Sequence, residues 1–161
     1  MSADLHSREE LRELYRELIL DHARSPRHFG KLEGATHSAE GINPLCGDKL
    51  KMYFSIGDDG LIDDAKFEGS GCAISVASAS LLTDTVIGMA ADVALDYFRA
   101  LVSRLSGRPD ETGRPANKVE LGKLTALEGV REFPSRVKCA TLAWHALNAA
   151  IHKGSAPVTT E

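Results

Sequence analysis

Three cysteines and one aspartate are the residues best equipped for chemistry in this chain. Cys46 and Asp48 lie two positions apart in Asn43-Pro44-Leu45-Cys46-Gly47-Asp48, with a glycine between them, so a thiol and a carboxylate can point at a common centre. The other thiols are Cys72, in Gly69-Ser70-Gly71-Cys72, and Cys139, in Arg136-Val137-Lys138-Cys139. Together with Asp48 the three thiols supply the donors that a tetrahedral zinc site takes. Taken singly, a cysteine is more often a buried core residue, and an aspartate such as Asp48 a turn residue. Spacing alone therefore leaves a shared metal site and ordinary core thiols both open.

Charge favours the shared site. Three thiolates and a carboxylate outweigh a divalent cation, so such a site needs positive neighbours, and Arg136 and Lys138 flank Cys139. Both stand near the start of a helix, the end where cations are disfavoured by the dipole unless a local partner is present. His145 and His152 lie well past Cys139 and read as structural or exposed. The role of His37 stays open.

The elements that must position these groups follow from periodicity. Ser7-Arg8-Glu9-Glu10 reads as a capping box, and Leu11, Leu14, Tyr15, Leu18 and Ile19 recur at helical spacing to about His22. Ser25-Pro26 stops that helix, and 21–30 reads as a solvated turn. Residues 35–42 suit a short edge strand. Leu50, Met52, Phe54 and Ile56 alternate with Lys49, Lys51, Tyr53 and Ser55, giving a strand with one buried and one wet face. Gly57-Asp58-Asp59-Gly60 turns the chain, and Leu61–Glu68 returns as the hairpin partner. Cys46 precedes one strand and Cys72 follows its partner, so the hairpin brings both thiols to one edge of the sheet.

Cys72 opens a small-residue helix, Ala73 to Ile87, at its positive end. A third helix, capped by Asp92, runs to Gly107. The segment 107–115 is a polar connector, and 118–131 is a short helix broken by Gly122 and Gly129. Pro134-Ser135 starts the last helix, with Cys139 in its first turn or so and Val137, Ala140, Trp144, Leu147 and Ile151 inward. The tail 155–161 is expected to be disordered.

The chain of 161 residues is long enough for one domain with a real core, here about 8–153. Its 43% hydrophobic and 26% charged residues fit a globular protein. A net charge of −4 without a basic run argues against nucleic acid. No apolar stretch suits a membrane span and the first residues do not form a leader, so a cytoplasmic location is expected. Three widely spaced cysteines do not form a disulfide framework.

The ordered set Asp21-His22…Pro26-Arg27…Gly30, Cys46-Gly47-Asp48, Gly71-Cys72-Ala73-Ile74-Ser75 with Ser78 and Ser80, and Cys139 resembles the NifU-N/IscU superfamily of iron–sulfur biogenesis proteins. The likeness runs from about residue 11 to 152. It implies an α+β fold of the SufE/NifU/IscU type, a small three-stranded antiparallel sheet with helices packed on one side. Lys138 stands where the IscU scaffold branch carries a histidine, and Phe133-Pro134-Ser135-Arg136-Val137 replaces its Leu-Pro-Pro-Val-Lys motif. The segment 107–124 looks like an insert. These departures resemble the SufU branch.

That branch implies zinc held by Cys46, Asp48, Cys72 and Cys139, with Cys46 accepting sulfur from a SufS-type cysteine desulfurase for a SufB-containing assembly complex. It also implies that a histidine of the desulfurase replaces Cys46 on the metal, and that Arg136 balances charge or steadies the freed Cys46. The rival readings are an iron–sulfur scaffold on the same four residues and a purely structural zinc site.

Overall fold

The computed structural model describes residues 2–107, 119–154 and 157–159, with side chains from residue 9 onward. Its elements run α1 (Ser2–Arg24), β1 (His37–Asn43), β2 (Asp48–Ile56), β3 (Ile62–Ser70), α2 (Ala73–Val86), α3 (Ala91–Ser106), a 3-10 helix (Gly122–Val130), α4 (Pro134–Ile151) and β4 (Val158–Thr159). The fold is α+β, as the sequence suggests.

The sheet has the order β3-β2-β1-β4. The β2–β3 hairpin forms as expected, and β1 adds antiparallel to β2, with Asn43 opposite Asp48. The expected three-stranded antiparallel sheet is corrected to a mixed four-stranded one. Val158 and Thr159 pair parallel to Gly41 and Ile42, so part of the supposedly disordered tail is ordered. The cause is that β1 is flanked by β2 on one side only, and its free backbone groups accept the returning chain. β1 is thus no edge strand over those two residues.

Side-chain alternation sends Ala39, Leu50, Met52, Phe54, Ala65 and Phe67 into one buried face. On that face α4 packs across β1 and β2, and α2 lies against β3 and α4. The outer face is polar, although Tyr53, expected to be wet, is buried there. Its hydroxyl donates to Glu68 and the Lys51 cation sits 5.3 Å over its ring, so two charged neighbours cover it.

Several boundaries move for local reasons. The backbone of α1 is helical from Ser2, because nothing in 2–6 breaks a helix, so Ser7 is not its cap; the Ser7 side chain lies outside the described residues. Leu11 and Leu14 are exposed, since α1 packs on α2 and the 3-10 helix through Tyr15, Leu18 and Ile19. The N-cap of α3 is Ala90, and Asp92 lies in the first turn, where its charge meets the helix dipole. The helix expected at 118–131 is a 3-10 run between Gly122 and Val130. Most of the connector expected at 107–115 lies outside the described residues.

The turn after α1 is largely solvated, as expected, yet it is anchored by specific hydrogen bonds, and the histidine before it is buried. His22 is only 2% exposed, and its Nδ1 lies 2.7 Å from Ser80 Oγ, which also accepts the Arg27 N–H at 2.8 Å. Gly30 N–H donates to the Phe67 carbonyl, and Phe67 N–H to that of His28. These bonds tie the chain between α1 and β1 to α2 and β3.

Burial, then the Arg27 and Lys123 charges, hold the His22 pKa below its ordinary value; Asp84 and Asp21 oppose them. Burial is also the leading cause of lowered values at His145 and His37. A base with a depressed folded pKa leaves the unfolded chain binding more protons once pH falls below the unfolded value of ~6.5. The metal-free protein should therefore lose thermal stability progressively between about pH 7 and pH 5. Melting curves across that range check it, and a flat or rising midpoint would contradict it.

Candidate metal centre

Two sheet connections and two helix starts build the site. The β1–β2 connection carries Cys46, with Gly47 at φ 72°, a left-handed conformation that glycine adopts without strain. Asp48 is the first residue of β2 and is 1% exposed. The β3–α2 connection is tight against it. A Cβ on Gly71 would lie 2.6 Å from Asp48 Oδ1 and would also collide with Ser75 Oγ. That closeness lets the Cys72 N–H donate to Asp48 Oδ1 at 2.8 Å.

Cys72 is the N-cap of α2, with its Sγ 3.8 Å from Ser75 Oγ. Cys139, fully buried, comes from the second turn of α4, which begins at Pro134 as expected.

Donor atoms of Cys46, Asp48 and Cys139 lie within 4.8 Å of one another, close enough to hold a metal ion. The Cys139 thiol is 3.3 Å from Cys46 Sγ and 3.5 Å from the Ser135 carbonyl. Its pKa is raised well above the ordinary thiol value, first by burial and then by hydrogen bonding with Cys46, Asp48 and Cys72. A bound cation would oppose that burial effect, since metal binding exchanges thiol protons for the ion. Two sulfurs and a carboxylate oxygen form a donor set that suits zinc.

Cys72 borders this group without joining it. Its thiol is not among the three mutually close donors, while its backbone holds the Asp48 carboxylate. Arg136 is exposed, and its pKa is raised by Cys72 first and Cys139 second, through charge and hydrogen bonding. The expected cation is therefore present, beside those two thiols. His145 stacks edge-on against Phe98 at 5.1 Å, and His152 meets the Asn148 carbonyl, so neither is a ligand. His37 lies beside Thr36 Oγ1.

Sequence reasoning passed over Asn43, which is fully buried and reaches both Asp48 and Cys139 through Nδ2. Period two along β1, with Ala39 and Gly41 inward, is the signal that places it there. The thiols do not line the groove between α1 and the 3-10 helix. That groove, about 900 Å³, is lined by Arg12, Tyr15, Ile74, Val130 and Arg131 among others, and by no cysteine. No helix among the described residues is long and apolar enough to cross a membrane.

The NifU-like N terminal domain model matches residues 14–140. The chain is 38% identical over 140 residues to the zinc-dependent sulfurtransferase SufU of Bacillus subtilis, covering 87% of this chain and 90% of that protein. It is 40% identical to the iron–sulfur cluster assembly scaffold protein IscU of Streptococcus pyogenes, over 91% of this chain and 87% of that one. A crystal structure of a putative iron–sulfur cluster assembly scaffold protein for the SUF system, from Fervidobacterium islandicum, superposes with a TM-score of 0.72 at 32% identity, covering 84% of this chain and 94% of the other. With the Cys46–Asp48–Cys139 group gathered on this fold, the chain belongs to the NifU-like N-terminal domain family.

Proposed function

We propose that this chain is a zinc-dependent sulfurtransferase of iron–sulfur cluster assembly. In this reading it takes persulfide sulfur from a SufS-type cysteine desulfurase on Cys46 and delivers it to a SufB-containing assembly complex. Cys46, Asp48 and Cys139 would hold the zinc, with Cys72, whose thiol borders that group, as the fourth ligand. The observation that carries the reading is the convergence of two thiols and a carboxylate, of which only Cys46 is on an accessible turn. Leu45 beside it is 69% exposed, so a partner can reach this thiol without opening the core.

Bound zinc supplies charge that keeps thiols deprotonated and brings no redox chemistry of its own. The transfer itself belongs to Cys46. Its thiolate attacks the outer sulfur of the donor persulfide, forming a new sulfur–sulfur bond. The bond within the donor persulfide breaks, and the donor cysteine leaves as a thiolate. Asp48 and Cys139, both buried, stay in place while Cys46 reacts. Arg136, beside Cys72 and Cys139, offsets negative charge when Cys46 is occupied elsewhere.

A second reading, a scaffold that assembles an iron–sulfur cluster on the same residues, is favoured by the likeness to proteins named IscU. Metal analysis of protein purified without oxygen, paired with desulfurase turnover of free cysteine, separates the two. Sulfur transfer predicts about one zinc per chain, no cluster absorbance, and turnover raised by adding this chain. Iron and sulfide at cluster stoichiometry, with turnover unchanged, would select the scaffold.

A further inference from the structure

Asn43 ends β1 directly opposite Asp48, with its side chain on the buried face of the sheet. Its Nδ2 lies 3.4 Å from Asp48 Oδ2 and 3.4 Å from Cys139 Sγ. One amide group thus spans two donors that belong to different elements, β2 and α4. Two amide hydrogens meet two acceptors. The opposite orientation would set Oδ1 against a carboxylate oxygen, acceptor facing acceptor, so Asp48 itself fixes which way the amide points.

The remaining atom argues for a purpose. Asn43 Oδ1 is buried and has no hydrogen-bond partner among the described residues. Buried acceptors are rarely left unpaired, and an apolar residue of similar size would avoid the loss. The position therefore keeps a side chain that costs stability at one end and serves the site at the other. At 3.4 Å the bond to oxygen is long, which suits a contact that orients more than it stabilises. The other Asp48 oxygen is held by the Cys72 N–H at 2.8 Å, so the carboxylate is gripped at both ends and each oxygen keeps a lone pair for an ion.

We infer that Asn43 is a positioning residue of the metal centre, its carboxamide locking the Asp48 carboxylate and the Cys139 sulfur into the arrangement in which both serve one ion. The inference rests on the metal-binding reading above. Groups that hydrogen-bond to metal ligands orient them and tune their basicity, and their loss commonly weakens binding about 10–100-fold. An N–H donated to the Cys139 sulfur also draws charge from it, which makes a difference visible in the spectrum of a bound ion.

The test compares wild type with Asn43→Leu, which fills a similar volume without donors, and Asn43→Ser, which keeps one. Zinc affinity is measured by competition with a chromophoric chelator, cobalt(II) supplies the sulfur-to-metal absorption bands, and chelator-treated protein gives the metal-free melting temperature. Asn43→Leu should bind zinc about 10–100-fold more weakly with shifted cobalt bands, while its metal-free melting temperature holds or rises. Asn43→Ser should fall between it and wild type.

Wild-type affinity and spectrum in Asn43→Leu would overturn the inference and leave the metal site standing. A wild-type chain that binds neither ion would remove the metal reading, and this inference with it. Should Asn43→Leu not fold, Asn43→Ser decides: weakened affinity with shifted bands supports the role, and unchanged values overturn it.

Discussion

Cys46→Ala should reduce desulfurase turnover to the rate of the desulfurase alone, and the variant should carry no added sulfur by mass after incubation with cysteine and the desulfurase. The fold should survive. Cys46 is half-buried on a turn, and the partners that Cys139 keeps without it, Asn43 and the Ser135 carbonyl, come from β1 and α4. Its removal should change metal-free stability by no more than ~1 kcal/mol, as at other partly exposed positions. Cys139→Ala provides the contrast. That thiol is fully buried, so its loss should weaken zinc binding and also cost about 1–2 kcal/mol in the metal-free melt. A Cys46→Ala protein that still acquires sulfur would place the acceptor at another cysteine. One that unfolds on losing zinc would point to a structural site.

The second large effect comes from a residue without a side chain. Gly71→Ala should damage the site sterically, because the new methyl group meets Asp48 Oδ1 at 2.6 Å and collides with Ser75 Oγ. Asp48 cannot retreat easily, since it is the first residue of β2 and is paired with Asn43. The β3–α2 connection must then move away, carrying the Cys72 N–H from the carboxylate. Overpacking of this kind costs roughly 1–3 kcal/mol, and zinc affinity should fall with it.

Gly47→Ala separates crowding from backbone strain. At Gly47 a Cβ meets nothing within 4 Å, so only the positive φ is penalised, at about 1 kcal/mol. Thermal melts with and without zinc distinguish the two variants. Gly71→Ala should shrink the stabilisation that zinc provides more than Gly47→Ala does. Equal effects would mean that crowding of Asp48 at Gly71 does not reach the metal centre.

What was legible from residue order is what local rules decide. The β2–β3 hairpin follows from alternation and a glycine-bounded turn, and it alone brings the Cys46 and Cys72 connections to one edge of the sheet. Helix starts at Cys72 and Pro134 follow from the Gly69-Ser70-Gly71 stretch and from the proline. The resemblance of the ordered motifs to one superfamily did the rest.

Three features depended on packing between distant segments. Cys139 meets Cys46 across 93 residues only because α4 lies on β1 and β2. β4 is too short for any periodicity to reveal, and it exists because β1 had a free edge. His22 and Asn43 are polar, and polar residues in a helix end or a strand read as solvated until something is packed over them. For His22 that cover is Ser80 of α2, and for Asn43 it is Cys139 of α4. A sequence states which groups can hydrogen-bond, whereas burial decides which of them must, and burial is a property of the assembled layers.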